Sequence, residues 1–225
     1  MLSIVTPTIW AFEPFPRYLE QIIGYECIDE VLIIDNHKEE RPASEIFNHP
    51  KIRILEQEKN IFVNPAWNLG AKEARNENIC FLSDDVIADP RCFYEADKFL
   101  SNNSSKEIGL LCTLIGHELH NQPKVTTGEI VIEKCEGSNI GMHGAFALFF
   151  VHKSNYLTIP EEFKIIHGDA YLWNMLAKEK THHMLYNVFF YSPFGVSCAK
   201  VFDEDDGKVV LDKDIQNWEI FRSEL

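Results

Sequence analysis

The feature that most constrains the fold is a short apolar run, residues 79–82, that leads directly into the adjacent carboxylates of Asp84 and Asp85. An unbroken apolar run of this length is typical of a strand buried on both faces of a parallel sheet. Ligands bind at the carboxyl ends of such strands. Two neighbouring carboxylates repel each other, so a divalent cation is one reason to keep both. A turn or a helix cap after the strand is the alternative interpretation.

The charge of the chain excludes one large class of function. Its 225 residues carry 21 Lys and Arg against 35 Asp and Glu, a formal net charge of -14. Proteins that bind nucleic acids rely on cationic contacts with phosphates, so we expect no nucleic-acid partner. With 45% apolar residues the chain is long enough for one substantial α/β core, and we predict a single domain over residues 1–225.

The cysteines and the hydropathy pattern predict a compartment. The six cysteines are scattered without a Cys-x-x-Cys pair, which favours buried thiols in a reducing environment. No apolar stretch approaches the roughly 18 residues that span a bilayer. The first residues lack the basic flank and the length of a signal peptide. We therefore expect a cytoplasmic protein without a transmembrane segment.

Strand and helix patterns alternate along the first hundred residues. Apolar runs predict strands at residues 2–5, 30–34, 52–55 and 79–82. Helical spacing and terminal signals predict helices at residues 16–24, 64–75 and 90–100. This alternation favours a mostly parallel sheet with helices on both faces.

The second half of the chain is less regular. We predict strands at residues 108–115, 128–133, 145–151 and 184–191, with residues 128–133 as an edge strand. A helix is predicted at residues 168–178, and an amphipathic tail around Ile215, Trp218 and Phe221. Loops are predicted at residues 117–125 and 137–144. The histidines of His117-Glu118-Leu119-His120 are therefore expected in a loop, because their spacing differs from that of zinc proteases.

Polar side chains follow three of the predicted strands. The strand ends are Thr6-Pro7-Thr8, Asp35-Asn36 and Ser83-Asp84-Asp85. In a parallel sheet all three would lie along the same edge and form a cleft of nucleotide size. No Gly-x-x-x-x-Gly-Lys or Gly-x-Gly-x-x-Gly motif occurs, which disfavours a P-loop or a dinucleotide site.

In order and spacing, these segments resemble the nucleotide-sugar glycosyltransferases of the GT-A fold, particularly the family 2-like group. The resemblance rests on residues 3–8, 31–36, 60–74 and 81–86. It implies an α/β, Rossmann-like, mostly parallel sheet flanked by helices. It also implies a nucleotide-binding half over about residues 1–100 and an acceptor-binding half over about residues 101–225.

The same resemblance implies which residues hold the donor. The first loop and the aspartate closing the second strand would hold the nucleoside, and the helix after Asn60 would face the nucleotide. The candidate donor-binding residues are Thr6, Pro7, Thr8, Asp35, Asn36, Asn60, Trp67, Asn68, Lys72, Ser83, Asp84 and Asp85, with Gly70 and Arg75 as further candidates.

The family's Asp-x-Asp motif corresponds here to Ser83-Asp84-Asp85, with serine at its first position. Asp85 is therefore the candidate ligand of Mn²⁺ or Mg²⁺. One firm carboxylate and two phosphate oxygens can hold such an ion without a protein cage. The late histidine that often completes this metal site in the family has no counterpart after Tyr191.

Other segments depart from the family pattern or bear on the acceptor. Ile61 replaces the glycine usual after Asn60, and Gly144-Ala145-Phe146 is similar to the strand beside the sugar pocket. Gly168-Asp169 stands where the family often has Glu-Asp. Asp169 is therefore the candidate general base, or alternatively an N-cap of the following helix. Four further side chains are candidates for sugar contacts: Trp10, Phe12, His143 and His167.

Together these features predict a transferase that moves a sugar from a nucleotide-diphosphate donor, with a UDP-sugar favoured, to a hydroxyl of a glycan or other acceptor, with inversion. Two alternatives remain open. A degenerate glycosyltransferase fold that only binds ligands would agree with Ser83, Ile61 and the missing histidine. A sugar nucleotidyltransferase would need a Gly-rich, basic loop after the first strand, where this chain has Thr6-Pro7-Thr8-Ile9-Trp10.

Overall fold

The computed structural model describes residues 1–113, 128–135, 148–193, 196, 200–201 and 205–223. Several features that the sequence singles out lie outside these residues. They are the loop at residues 117–120, the glycine-punctuated loop at residues 137–144, His143, Gly144-Ala145-Phe146 and Cys198.

Strands and helices alternate in the first half as the sequence predicts. The elements are β1 (Leu2–Thr8), α1 (Phe15–Ile22), β2 (Ile28–Asp35), β3 (Ile52–Glu56), α2 (Val63–Glu73), β4 (Asn78–Leu82), β5 (Ile87–Ala88) and α3 (Pro90–Asn102). Two short 3-10 helices, Lys38–Glu40 and Glu45–Asn48, lie between β2 and β3. The apolar patterns did not predict them because neither has a buried residue.

The described residues of the second half form five strands, helices of the α and 3-10 types and the connecting loops. The elements include β6 (Ile108–Thr113), β7 (Val131–Lys134), β8 (Leu148–His152), a short 3-10 helix (Lys153–Asn155), α4 (Gly168–Leu176), β9 (Thr181–Tyr186), β10 (Phe190–Tyr191) and α5 (Asp205–Ser223). The single strand predicted at residues 184–191 is therefore two strands. The break begins at Asn187, directly after the end of β9, and the φ of 60° at this residue is left-handed and incompatible with a strand. None of the described helices is long and apolar enough to cross a bilayer.

In the described part of the chain, eight strands form one sheet in the order β3-β2-β1-β4-β8-β6-β9-β7. The pairs β1–β2, β1–β4, β2–β3 and β6–β9 are parallel, whereas β8 and β7 run antiparallel to their neighbours. The predicted α/β class with a mostly parallel sheet is confirmed. Since β1 has β2 on one side and β4 on the other, the strand order reverses at β1, and the carboxyl ends of β1 and β4 flank the switch point.

The strand β1 runs further than the sequence predicts. Thr6-Pro7-Thr8 was expected to be a loop, but these residues continue the pairing with β2 as far as Asp35. The pairing of β1 with β4 ends earlier, at Val5 and Phe81. Proline is tolerated here because one side of the strand is no longer paired. The unpaired side opens the sheet at the switch point.

Apolar side chains on the two faces of the sheet form two hydrophobic clusters. Successive residues of β1 illustrate this, since Ile4 belongs to the cluster with α1 and α3, and Val5 to the cluster with α2 and α4. Gly70 allows α2 to lie close to β1, because a Cβ atom at Gly70 would overlap Val5 Cγ1. In the structure Gly70 is therefore a packing residue between helix and strand.

A buried histidine joins β6, β9 and α4. The amide N–H of Leu110 donates to His182 Nδ1 at 2.8 Å, and His182 Nε2 lies 2.9 Å from the carbonyl oxygen of Trp173. The rings of Trp173 and His182 stack with centroids 3.9 Å apart. An imidazole that accepts at Nδ1 and donates at Nε2 is neutral. Burial lowers the pKa of His182 from 6.5 to about 4.

This depressed pKa makes the fold sensitive to acid. Between pH 6.5 and 4 the unfolded chain binds a proton at this histidine and the folded chain does not, so stability falls as the pH falls. We expect His182 to account for a loss of about 2 kcal/mol in unfolding free energy between pH 7 and pH 5. Urea unfolding of His182→Gln, which cannot titrate, should show a loss smaller by that amount. Equal pH dependence in both proteins would contradict this assignment.

Candidate functional site

A cleft that is open to solvent lies at the carboxyl ends of β1, β2 and β4. It brings together most of the donor-binding candidates. Those that line it are Pro7, Thr8, Asn36, Asn60, Trp67, Ser83, Asp84 and Asp85. The rest of the wall is apolar and consists of Ile9, Phe62, Val63, Ile165 and Val201. Sequence patterns did not single out Ile165 or Val201, because their elements reach the cleft only through the tertiary fold.

A hydrogen bond crosses the switch point at the base of this cleft. Thr8 Oγ1 donates to Asp84 Oδ2 at 2.6 Å, and the amide N–H of Trp10 donates to Thr8 Oγ1 at 2.9 Å. Thr8 and Asp84 are both buried. This pair therefore fixes the end of β1 relative to the turn after β4 and orients the Asp84 carboxylate. Thr6 lies two residues earlier on the same face of β1, fully buried and outside the cleft lining.

Asp35 is fully buried at the end of β2 and is bound by protein groups. Its Oδ1 accepts hydrogen bonds from Trp10 Nε1 at 2.8 Å and from the His37 amide at 3.1 Å. Its Oδ2 lies 3.4 Å from Arg41 Nη1, which forms an ion pair. In this structure Asp35 supports the loop after β1 and does not line the cleft.

Two asparagines shape the loops around the cleft. The backbone N–H of Asn36 donates to the carbonyl oxygen of Thr8 at 2.9 Å, and the side-chain Oδ1 of Asn36 accepts from the backbone N–H of Ile61 at 3.2 Å. Asn60 Oδ1 accepts from the Phe62 amide at 2.8 Å. These bonds hold the ends of β1 and β2 and the start of α2 in one arrangement.

Backbone strain is concentrated near the cleft. Among the described non-glycine residues with positive φ, Trp10, Phe62 and His167 all lie in segments that border it, with φ values of 61°, 66° and 64°. Such conformations cost of order 1–3 kcal/mol each and often occur at functional sites. The comparison with the family pattern identified Ile61 as the residue that stands in place of a glycine. In the structure, however, the residue with the positive φ is the next one, Phe62.

Trp67 and Asn68, which were both predicted to face the nucleotide, lie on different faces of α2. Trp67 faces the cleft and packs against Phe81 and Phe149. Asn68 points about 100° away and joins α2 to the second half: its Nδ2 donates to the Ile159 carbonyl, and its Oδ1 accepts from Tyr156 Oη, each at 2.9 Å. The described cleft wall therefore does not include Asn68.

Two further candidates, both cationic, lie elsewhere in the fold. Lys72 is exposed in the last turn of α2 and is not among the residues that line the cleft. Arg75 is exposed, and its Nε lies 3.7 Å from Glu30 Oε2. Glu30 is near the start of β2, at the opposite edge of the sheet from the cleft. The diphosphate partners that the sequence suggested at these positions are thus not at the cleft in this structure.

Asp169 lies in the first turn of α4 and is half-buried. Its Oδ1 accepts from the Ala170 amide at 2.8 Å. The N-cap position belongs to His167, so Asp169 stands inside the helix. Burial lowers the pKa of His167, and the Asp169 carboxylate partly offsets this effect. Asp169 is not among the cleft-lining residues, but Ile165, four residues earlier, is.

The glycine before Asp169 has a steric reason. A Cβ atom at Gly168 would overlap Asn64 Oδ1. Asn64 Nδ2 donates to the Ile166 carbonyl at 3.1 Å, so the same asparagine holds the loop before α4. The departure from Glu-Asp to Gly168-Asp169 therefore makes room for Asn64.

The carboxylates at the cleft fit a divalent cation that is shared with a phosphate ligand. Asp84 and Asp85 are only 3% and 7% exposed and both line the cleft. Within the described ranges, no three or more His, Cys, Asp or Glu side chains are grouped to hold a metal. The protein would thus contribute one or two carboxylates, and a diphosphate and water would complete the oxygen ligands that Mg²⁺ or Mn²⁺ prefers.

We expect Trp10→Phe to destabilise the protein by about 1–3 kcal/mol in unfolding free energy. Phenylalanine keeps an aromatic ring next to Phe15 and Phe47 but removes the N–H donor to Asp35 Oδ1. Urea unfolding of Trp10→Phe, Asp35→Asn and the double variant would measure the coupling between the two side chains. Strictly additive effects would show that this hydrogen bond contributes nothing.

The sequence of the first half matches a known family. Residues 3–106 match the model of glycosyl transferase family 2. This segment runs from β1 through α3 and contains the whole described cleft lining except Ile165 and Val201. No curated protein matches the chain.

Solved structures of TarS from S. aureus share the fold. The structure of TarS residues 1–349 has a TM-score of 0.62 at 14% identity, over 95% of this chain and 70% of that one. The same fragment with UDP-GlcNAc has a TM-score of 0.59 at 13% identity, over 95% and 71%. A longer TarS chain has a TM-score of 0.57 at 13% identity, and this protein spans 42% of its length. Residues 3–106 of this protein are thus similar in sequence to glycosyl transferase family 2, and nearly the whole chain shares its fold with TarS.

Proposed function

We propose that this protein is a glycosyltransferase that moves a sugar from a nucleotide-diphosphate donor, preferably a UDP-sugar, to a hydroxyl of a glycan or other acceptor. The observation that carries the proposal is the cleft at the switch point, where Thr8 is bonded to Asp84 inside the segment that matches family 2. Structures of the TarS fragment with UDP and with UDP-GlcNAc, which share this fold, support the choice of donor.

The lining of the cleft suggests how the donor would lie. Pro7, Thr8, Asn36 and Asn60 surround the end that is built from β1, β2 and the start of α2, and we assign them to the nucleoside. Ser83, Asp84 and Asp85 follow β4, and we assign them to the ribose and the diphosphate. Trp67 supplies an apolar wall. Thr6 and Asp35 act from behind the cleft, and Asn68 and Lys72 are not assigned donor contacts.

Two buried carboxylates in a chain of net charge -14 would repel a diphosphate by themselves. Donor binding should therefore need a divalent cation at Asp85, with Asp84 held beside it by Thr8. When bound, Mn²⁺ or Mg²⁺ would supply positive charge next to the diphosphate oxygens.

Asp169 is the proposed general base. Its carboxylate would accept the proton of the acceptor hydroxyl while that oxygen bonds to C1 of the sugar, and the bond from C1 to the diphosphate oxygen breaks with its electron pair. Attack opposite to the leaving group inverts the anomeric centre. The bond from the Ala170 amide orients the carboxylate at the start of α4.

Thermal unfolding with UDP, GDP and dTDP, each with and without Mn²⁺, tests the donor site. At about 100 times its dissociation constant, a nucleotide should stabilise the fold by roughly 2.7 kcal/mol, a shift of a few degrees. We expect this shift with UDP and only in the presence of the metal. No shift with any nucleotide would favour a degenerate module that does not bind donors.

Substitution of two aspartates separates binding from chemistry. Asp85→Ala should abolish the metal-dependent nucleotide affinity. Asp169→Asn should lower transfer by about 100-fold or more, since a general base contributes that much, while nucleotide affinity stays within about threefold. Asp212→Asn, an exposed position on α5, is the charge control. Equal loss of nucleotide binding and transfer in Asp169→Asn would contradict its role as base.

A further inference from the structure

The loop at residues 163–167 links the cleft wall to α4 and is held by a carboxylate from the other end of the chain. Asp214 in α5 is fully buried. Its carboxylate accepts hydrogen bonds from three successive backbone amides, those of Lys164, Ile165 and Ile166, at 2.9, 2.6 and 2.9 Å. Charge-assisted bonds of this kind are roughly twice as strong as neutral ones, so the carboxylate is well suited to fix these peptides.

The carbonyl groups of the same loop are held from the opposite side. The backbone N–H of Asn64 donates to the Lys164 carbonyl at 2.9 Å, and the side-chain Nδ2 of Asn64 donates to the Ile166 carbonyl at 3.1 Å. The loop thus lies between the start of α2, which binds its acceptors, and α5, which binds its donors. The hydrogen bonds from Asn64 and those to Asp214 all involve backbone groups of residues 164–166, so together they fix the position of this backbone.

Aromatic side chains extend the contact along one face of α5. The Trp218 ring stacks on the His167 ring, with a centroid distance of 4.8 Å and an angle of 9° between the ring planes. The ring centroids of Phe221 and Phe163 are 6.1 Å apart. Positions 214, 218 and 221 have the spacing of a single helix face. The sequence assigned Ile215 to the apolar face of this tail, but Ile215 is 45% exposed and the inward face begins at Asp214.

The conformation of the loop needs this support. His167 has a φ of 64°, which is unfavourable for a residue with a Cβ atom, and it directly precedes α4. Strained residues of this kind persist where the surrounding structure enforces them. Ile165 in this loop lines the donor cleft, and Asp169 follows His167 by two residues. The position of the loop therefore determines how Asp169 stands relative to the cleft.

We propose that Asp214 is a positioning residue, which fixes residues 164–166 and thereby sets Asp169 against the donor cleft. The effect of Asp214 on catalysis rests on the transferase function proposed above. The three hydrogen bonds by which Asp214 holds residues 164–166, here called the clamp, do not depend on that function. Asp214 lies well outside the segment that matches family 2, which ends at residue 106.

Amide hydrogen exchange tests the clamp. Asp214→Asn and Asp212→Asn remove the same charge from α5, but Asp212 is exposed. We expect the amides of residues 164–166 to exchange at least about tenfold faster in Asp214→Asn, because a neutral side chain replaces the charged acceptor. The Asp212→Asn protein should match the wild type. Unchanged exchange in Asp214→Asn would overturn the proposal.

Steady-state kinetics test the consequence. In Asp214→Asn we expect kcat to fall by about tenfold or more through misplacement of Asp169. The KM for the donor should stay within about threefold, because Ile165 is the one residue of 164–166 in the described cleft lining and Thr8, Asn36 and Asp85 lie on other elements. An unchanged kcat, or a donor KM that rises in parallel with the loss of kcat, would overturn the positioning role. If the wild type transfers no sugar from any donor, the proposed function fails, while amide exchange still decides the clamp.

A second variant serves if Asp214→Asn does not fold. Trp218→Leu removes the ring stacked on His167 and leaves Asp214 in place. We expect faster exchange of the amides of residues 167–169 and a lower kcat, with the nucleotide-induced thermal shift unchanged. Wild-type exchange and wild-type kcat in this variant would overturn the proposal that α5 positions the loop.

Discussion

The cleft depends on one hydrogen bond, from Thr8 Oγ1 to Asp84 Oδ2, at the point where the strand order of the sheet reverses. β1 continues beside β2 after its pairing with β4 has ended, so the two strand ends are no longer joined by backbone hydrogen bonds. The side-chain bond replaces them and fixes the width of the opening. It also turns the Asp84 carboxylate towards Thr8 and brings the Ser83–Asp85 turn to the cleft wall.

The loops around the cleft share one physical principle, in which a buried carboxylate holds a strained segment from behind. Asp35 binds the indole N–H of Trp10, and Asp214 binds the three amides that precede His167. Trp10 and His167 both have left-handed backbones. A buried carboxylate without partners would be very costly. The hydrogen bonds, and at Asp35 the ion pair with Arg41, offset that cost and also enforce the unfavourable loop conformation.

Much of the fold and part of the site could be predicted from local patterns. Apolar runs located the strands of the first half, and polar residues after three of them located the cleft. The helix α2 shows the limit: Trp67 faces the cleft, whereas Asn68 binds residues 156–159, and a sequence motif does not show how the helix is turned against the sheet. Asp214 was not predicted because an aspartate that follows Asp212 and Lys213 in a helix with a largely exposed surface is expected to face solvent, and its partners are about 50 residues away.

The sequence by itself determined the α/β class, the alternation of strands and helices and the likeness to family 2, because periodicity and strand-end chemistry are local properties of the chain. Only the tertiary structure decided that β1 extends to Thr8, that Asp35 faces Trp10 rather than the cleft, and that Ile165 and Val201 complete the wall. It also decided that Gly168 makes room for Asn64 and that α5 holds the loop before Asp169. These features join residues that are distant in the chain, and their geometry is set by packing between elements, which no local pattern encodes.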